Sequence, residues 1–437
     1  MPPTPRHPQP DRPESVFTYA APQLKFGVGA SAEIGHDLAQ TGARRVLVVT
    51  DSGVAAAGIS GRVADQLTDA GLEVVVFDGS HVEPTDASIQ QAVDYGRDNG
   101  PFDAFVAVGG GSSIDTAKAI NLLTTNDGEL TDYLNAPVGA GRAPANPLKP
   151  LVAVPTTTGT GSESTTICVL AVLSLKVKTG ISHARLRPTM AVIDPLLTLT
   201  QPPGVTAAAG MDILCHALES YTARPYTSYE HKTPEQRVPY CGSNPIADLW
   251  SEKAMSLLAM AFRRAVHDGD DVAARADMAM ASTFAGLGFG NAGVHIPHAN
   301  AYPIAGRVKD FHPKDYPQDE PMVPHGMSVA LTAPEAFRFT FEADPDRHVR
   351  AAELLAAGAP DKDYTSLPAA GRLPSVLIDL LRDVDLPNGC GAVGYELADI
   401  PDLVEGTMKQ QRLLATSPLP VTEDDVAGIF ERSLRLW

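Results

Sequence analysis

The sequence predicts an α/β N-terminal domain built on a parallel sheet, followed by an all-α C-terminal domain. Three observations carry this prediction. Apolar strand-like runs alternate with helix-like stretches from Arg45 to Asp194. Beyond Asp194-Pro195 the strand-like runs give way to helical periodicity. The length of 437 residues exceeds what one ordinary core holds.

The strands are placed at Val46–Thr50, Val74–Phe77, Phe105–Val108, Leu151–Val154 and Ala191–Ile193. Such continuous apolar runs suit a sheet covered on both faces. The covering helices fall near Ala57–Ala70, Ala87–Asn99 and Ile114–Leu123, where apolar residues recur at helical intervals. After the boundary, placed near Leu197, the helical segments are Val205–Tyr221, Ile246–Val266, Ala273–Phe289 and Pro374–Val384. The expected organisation is a flexible tail over 1–16, an α/β domain over 17–197 and a helical domain over 198–437. The Pro-rich stretches Ala136–Pro150, Ala223–Pro245 and Gly306–Pro324 read as long loops, which in compact enzymes often border a site.

Composition narrows the function classes. With 44% hydrophobic and 20% charged residues the chain can bury a sizeable core and is not disordered as a whole. The formal charge of −18 argues against general affinity for nucleic acid or anionic membrane, so attraction for a substrate must be local. The apolar run Ile167–Leu175 is too short for a membrane span of about 20 residues. The N-terminus carries no apolar signal core, and Cys168, Cys215, Cys241 and Cys390 show neither paired metal spacing nor a disulfide framework. A cytoplasmic protein with small-molecule partners is expected, and a homo-oligomer stays open.

The segment Val106-Ala-Val-Gly-Gly-Gly-Ser-Ser-Ile-Asp115 runs from a buried strand through three glycines into a helix. Glycines allow backbone N–H groups to approach a pyrophosphate, and a helix N-terminus favours the anion. A tight strand-to-helix turn is the competing local reading. A second polar turn, Pro155-Thr-Thr-Thr-Gly-Thr-Gly-Ser-Glu163, follows the next strand; alone it reads equally well as a helix cap. Two such turns at successive carboxyl ends of one parallel sheet favour a nucleotide. Asp51 ends another strand, where a carboxylate can take ribose hydroxyls, although a solvated turn aspartate explains it nearly as well. Gly27-Val-Gly29 is rejected as the phosphate site because its third glycine is misplaced and no clear hydrophobic strand precedes it.

A metal centre is the other candidate. In Gly210-Met-Asp-Ile-Leu-Cys-His-Ala-Leu-Glu219, Asp212 and His216 lie four apart and share a helix face. His295-Ile-Pro-His298 and Pro324-His325-Gly326 follow. One carboxylate and three imidazoles complete a divalent site with room for a substrate oxygen. A hydrogen-bonded structural histidine is the ordinary reading of each one singly. Spacing does not choose between His295 and His298, and His183 and His312 rank lower as loop candidates.

GGGSSIDTAKAI, PTTTGTGSE, GMDILCHALE, the His298 segment and PHG occur in the order that resembles the iron-containing alcohol dehydrogenase family, over about Phe17 to Trp437. The stretches FDGSHVEPTD, LKVKTGIS, YCGSNPIADLW, FAGLGFGNAGVH and KDYPQDEPMVPHG look most like the branch that passes hydride from a hydroxyacid to an oxoacid. This resemblance implies a Rossmann-like N-terminal domain of the dehydroquinate synthase-like type, a helical C-terminal domain, and a cleft holding NAD and a divalent metal, Fe(II) first and Zn(II) second. It implies Asp212, His216, His298 and His325 as ligands, with catalysis running through the metal they hold. It also implies Asp51 at the adenosine ribose, Gly110, Gly111 and Ser112 at the pyrophosphate, and Asp115, Thr156, Thr157, Thr160, Thr165 and Lys178 flanking the cofactor.

The implied reaction moves hydride from 4-hydroxybutyrate through bound NAD to 2-oxoglutarate, giving succinate semialdehyde and 2-hydroxyglutarate. An NAD-dependent alcohol dehydrogenase that acts on another small alcohol and releases NADH is the alternative, and a non-catalytic nucleotide- and metal-binding regulator the more distant one. One aspartate and three neutral imidazoles would leave a dication with a formal surplus of one positive charge. Tyr302 stands where many members have a further histidine and enters as a catalytic candidate; Ala299-Asn300 replaces a Gly-Met pair, and Cys168–Leu175 is unusually apolar. Arg307, Lys309, His312 and Lys314 in the loop Gly306–Pro324 are candidate receivers of the substrate carboxylates, although as single residues they also read as solvated loop charges.

Overall fold

A computed structural model describes residue 7 and residues 9–175 and 177–437. The chain packs as two units: Ala21–Gln201, and the described residues up to Ala20 together with Pro202–Trp437.

Among the described residues the first unit has eight strands: β1 (Gln23–Phe26), β2 (Arg45–Val49), β3 (Glu73–Phe77), β4 (Ala104–Gly109), β5 (Leu151–Pro155), β6 (Ile167–Val172), β7 (Val177–Ser182) and β8 (Met190–Ile193). Six form one sheet in the order β1-β8-β5-β4-β2-β3, and every pairing in it is parallel. Because successive residues of a strand face opposite ways, the apolar runs feed two cores. Val46, Val48, Val106 and Val108 pack with Ile59, Val63 and Leu67 on one face. Leu47, Val49, Phe105 and Ala107 pack with Ile89, Val93, Ile114 and Ile120 on the other. The helices Ile59–Asp69, Asp86–Asn99 and Gly111–Thr125 supply this cover, overlapping the three predicted segments.

Further strands lie outside the runs from which the sheet is predicted. A strand does precede Gly27: β1 pairs in parallel with β8, but it is an edge strand with Gln23 and Leu24 exposed, so its sequence shows no apolar run. The turn after it is held internally, because the Gly29 and Ser31 N–H groups donate to the Asp194 carboxylate at 3.1 and 3.2 Å. The apolar run Ile167–Leu175 is mostly β6, which pairs antiparallel with β7 as a hairpin outside the main sheet. Among the described residues no helix is long and apolar enough to cross a membrane.

The second unit centres on the helix Pro203–Thr222, whose length is buried almost throughout. The helices Pro245–His267 and Val272–Ala292 contribute to the same core. Gly210 is required by contact rather than torsion: a Cβ there would stand 2.0 Å from Phe262 Cε2. Of the tail expected to be mobile to residue 16, residues 1–6 and 8 lie outside the described residues, and the described ones are laid onto this unit. Glu14 explains the difference. It is 5% exposed and accepts from the N–H groups of Ser15, Val16 and Lys232 and from the Arg237 guanidinium at 2.8–2.9 Å, while its own N–H donates to Tyr229 O.

Candidate functional site

In the α/β unit, β2 connects outward to β3 and β4 connects the other way to β5, so the sheet order reverses between their carboxyl ends. Ligands of open α/β sheets collect at such a point. The Asp51 turn and the triple glycine meet there. Asp51 caps the helix Ser52–Ala56 through a 3.0 Å bond from Val54 N–H and accepts from Ser113 Oγ at 3.1 Å. None of Gly109, Gly110 and Gly111 has positive φ, so the need for glycine is spatial. A Cβ on Gly109 would lie 2.3 Å from Ser113 Oγ, one on Gly110 3.0 Å from Thr157 Oγ1, and one on Gly111 2.7 Å from Thr160 Oγ1. The second polar turn thus packs directly on the first. Gly110, Gly111, Ser112, Thr157 and Thr160 stay half-buried at the start of the helix Gly111–Thr125, whose leading N–H groups favour an anion.

The expected flanking residues are placed differently. Asp115 is buried and accepts from Ser162 Oγ at 2.5 Å, Lys118 Nζ at 3.2 Å and Val169 N–H at 2.8 Å. Thr156 is buried with its N–H on Gly109 O, and Thr165 is buried with its hydroxyl on Ser162 O. Lys178 pairs with Glu83. Asp115, Thr156 and Thr165 build the walls of the two turns rather than open faces, while Lys178 stands on β7 of the hairpin. Lys118, which sequence reasoning passed over, ties the walls together: fully buried, it also donates to Ser162 O, Ser162 Oγ, Thr165 Oγ1 and Ile167 O.

In the helical unit, Asp212 and His216 project from the helix Pro203–Thr222, His298 from Ile296–Gly306, and His325 opens the helix His325–Ala330. Gly326 permits that last approach, since a Cβ there would be 2.2 Å from Ala208 O and 2.8 Å from Asp212 Cβ. Asp212 Oδ1 stands 3.5 Å from His298 Nε2, 3.8 Å from His216 Nε2 and 3.9 Å from His325 Nε2. Ligand atoms of Asp212, His298 and His325 all lie within 4.8 Å of one another, while His216 joins through Asp212 and stacks on the His298 ring at 4.5 Å. Ligands each about 2.1 Å from one ion stand roughly 3.4 Å apart. Asp212 Oδ1 and His298 Nε2 are buried with no hydrogen-bond partner among the described residues. Buried polar atoms are rarely left so, and a dication would satisfy both.

Electrostatics agree with that chemistry. Burial would raise the Asp212 pKa, yet His216, His325 and His298 outweigh it and hold the carboxylate well below its usual range. Burial drives His216 down to about 3, keeping it a neutral ligand. Burial also opposes charge on His298, but Glu219 and Asp212 push it up to about 9; a cation entering the site would displace that proton. Burial pushes the thiols of Cys168 and Cys215 well above their ordinary range and that of Cys390 up to about 12, so none is a ready nucleophile.

Other candidates lie elsewhere. His295 is fully buried, with Nε2 3.1 Å from Thr222 Oγ1. His183 accepts from Arg185 N–H in the α/β unit, and His312 is exposed. Tyr302 is half-buried against the cluster of Phe289, Ile296 and Leu413. Asn300 turns from the ligands to bond Thr332 and Thr407. Arg307 and Lys309 are engaged by Asp402, Glu405 and Asp399, which weakens their case as carboxylate receivers. Sequence reasoning missed Glu219, which accepts from His298 Nδ1 at 2.6 Å. Its spacing of three from His216 and seven from Asp212 was the available signal.

Comparison with known proteins places this geometry. Residues 21–195 match the family pattern described as iron-containing alcohol dehydrogenase, and residues 206–434 match that of the Fe-containing alcohol dehydrogenase family, C-terminal. The chain is 46% identical over 429 residues to the mitochondrial hydroxyacid-oxoacid transhydrogenase of Bos taurus, covering 97% of this chain and 91% of that one. The corresponding Homo sapiens protein is 45% identical, with 97% and 90% covered. Among solved structures it resembles a 1,3-propanediol oxidoreductase (TM-score 0.82, 31% identity, 96% and 100% covered). It also resembles the sulfoacetaldehyde reductase of Bifidobacterium kashiwanohense in complex with NAD+ (TM-score 0.78, 25% identity, 96% and 99% covered).

These relatives correct one expectation. The cytoplasmic location is overturned, because the relatives at 44–46% identity are named as mitochondrial. That expectation rested on the missing apolar signal core, and mitochondrial targeting segments do not need one; they are amphipathic and Arg-rich. The fold, the two site regions and the full-length matches agree: the chain belongs to the iron-containing alcohol dehydrogenase family and is an oxidoreductase of the kind that works with NAD and an iron-type metal.

Proposed function

We propose that the chain is a hydroxyacid-oxoacid transhydrogenase that moves hydride from 4-hydroxybutyrate to 2-oxoglutarate through bound NAD, giving succinate semialdehyde and 2-hydroxyglutarate. The observation that carries the chemistry is the buried Asp212 Oδ1 facing three imidazoles at 3.5–3.9 Å with no hydrogen-bond partner among the described residues. The choice of substrates rests on the full-length similarity to proteins of that name.

Asp212, His216, His298 and His325 would hold the metal, Fe(II) by preference, with Zn(II) compatible with the same set of one oxygen and three nitrogens. When bound, the ion supplies Lewis-acid polarisation of a substrate oxygen and NAD supplies the hydride carrier. The protein's own residues hold and orient. Asp212 contributes the anionic ligand, the neutral His216 ring is fixed between Phe289 and His298, and Gly326 lets His325 close on Asp212. Gly110, Gly111 and Ser112 would take the pyrophosphate, with Thr157 and Thr160 beside it and Asp51 toward the ribose. Asp115, Thr156 and Thr165 act on the cofactor through the shape of the turns, Lys178 would reach it from β7, and Tyr302, one turn after His298 on the same helix, is a further catalytic candidate.

The test uses purified protein loaded with Fe(II), and separately with Zn(II), incubated with 4-hydroxybutyrate and 2-oxoglutarate without added NAD. Equal amounts of both products, many-fold above bound NAD by mass spectrometry, are expected. Products that appear only with stoichiometric free NAD would make the chain an NADH-releasing dehydrogenase instead.

A further inference from the structure

Glu219 lies one turn beyond His216 on the helix Pro203–Thr222 and is fully buried. A carboxylate buried to this degree persists only when its oxygens are satisfied. Both are. Oε1 accepts from His298 Nδ1 at 2.6 Å, while Oε2 accepts from the backbone N–H of His295 at 2.6 Å and of His298 at 3.4 Å. The helix Ile296–Gly306 begins at His295 with no side-chain cap of its own. Glu219 therefore does what a cap would do, from a different helix, and sets a negative charge at a helix N-terminus where the dipole favours it.

The same contacts fix a ring. A carboxylate only accepts, so His298 Nδ1 must carry the hydrogen it donates, and the other nitrogen is left to face Asp212. Nε2 is 3.5 Å from Asp212 Oδ1 and otherwise has no hydrogen-bond partner among the described residues. The ring is also stacked at 4.5 Å on His216 and set edge-on to His325 at 5.4 Å, so rotating it would break the Glu219 bond and both ring contacts. We propose that Glu219 is the positioning residue of the metal centre: it selects the His298 tautomer, aims Nε2 at the site and pins the first turn of the helix that carries it.

Charge follows from the same placement. With Asp212 alone as counter-ion, a dication and three neutral imidazoles leave one formal positive charge. Counting Glu219, whose negative charge reaches the site through the His298 ring, the buried cluster is formally neutral. Hydrogen-bonded carboxylates of this kind raise the donor strength of a ligating imidazole, and their removal typically weakens metal binding by 10–100-fold.

This inference rests on the metal-dependent reading above and can fail separately from it. Zn(II) affinity is measured by chelator competition for the unmodified protein, for Glu219→Gln and for Thr222→Val, which removes only the hydroxyl beside His295. An amide at 219 can accept from the imidazole or from the backbone but presents an N–H to the other. The expected result is a loss of about 10–100-fold in Zn(II) affinity for Glu219→Gln, a changed visible spectrum of its Co(II) form, and little change in either for Thr222→Val. Equal Zn(II) affinity and an unchanged Co(II) spectrum in a cooperatively melting Glu219→Gln would overturn the proposal. Should that variant not fold, histidine-selective 15N NMR of the Zn(II)-loaded unmodified protein decides: hydrogen on Nδ1 of His298 with Nε2 bound supports it, and Nδ1 bound overturns it. An unmodified protein that takes up no metal would sink the functional reading instead.

Discussion

Lys118 Nζ stands 3.2 Å from Asp115 Oδ1, and both side chains are buried. The pair sits one turn apart on the helix that begins at the triple glycine, and its remaining bonds go to Ser162, Thr165 and Ile167 across the second polar turn. The two turns are thereby one object. Replacing lysine with methionine keeps the length of the stem but leaves the buried Asp115 carboxylate without its cation, with only Ser162 Oγ and Val169 N–H still donating to it. Lys118→Met is expected to cost about 3–5 kcal/mol of stability, read as the fall in the urea midpoint at constant slope. A loss under about 1 kcal/mol would mean that the network is not holding the turns.

Gly111→Ala probes the same seam without removing a charge. Its Cβ would stand 2.7 Å from Thr160 Oγ1 and 2.8 Å from Thr160 Cγ2, so one turn must move off the other. The expected effects are about 1–3 kcal/mol of destabilisation and weaker NAD binding by tenfold or more in a fluorescence titration. Unchanged NAD affinity would place the pyrophosphate elsewhere.

Asp212→Ala removes the carboxylate whose Oδ1 stands within 3.9 Å of all three imidazoles. Turnover is expected to fall by about a thousandfold or more, the equivalent of roughly 4 kcal/mol of transition-state stabilisation, with bound metal lost by elemental analysis. The near-ultraviolet circular dichroism should stay native. Near-normal turnover in a metal-verified sample would reject the ligand set.

Glu14 carries a pH dependence. Burial acts to raise its pKa, but N–H groups of Lys232, Val16 and Ser15 and the Arg237 guanidinium bring it from 4.5 down to about 2. A carboxylate whose pKa is lower in the folded state stabilises above its unfolded pKa and loses that contribution as pH falls toward the folded one. The urea-midpoint difference between the unmodified protein and Glu14→Gln should therefore be constant above about pH 5 and shrink as pH falls below 4.5 toward 2. A difference that does not vary across this range would deny Glu14 the role of anchor.

What the sequence made legible, and what it hid, follows from how each residue is satisfied. The central strands were readable because both faces of Val46–Val49 and Phe105–Val108 are buried, which forces continuous apolar runs. Edge strand β1 was not, since half of it meets solvent and its composition is that of a loop. Asp212 and His216 announced themselves by spacing on one helix. The choice between His295 and His298 was closed to spacing because it depends on Glu219 and Thr222, which lie on another helix and look, in sequence, like ordinary helix residues. Lys118 and Glu14 were hidden for a similar reason: a lysine in a helix and an acid in a Pro-rich stretch are normally solvated, and only partners distant in sequence reveal that they are not.

The strap formed by the first described residues has a consequence for how the chain is made. Glu14 meets Arg237 across 223 positions, and His7 meets Ser417 across 410. During synthesis the whole α/β unit, Ala21–Gln201, leaves the ribosome between the strap and the helices that receive it. That unit is continuous in sequence and has both its cores within itself, so it can fold first as an insert. The helical unit is closed last, when the segment that precedes the α/β unit is gathered in by partners that emerge after it.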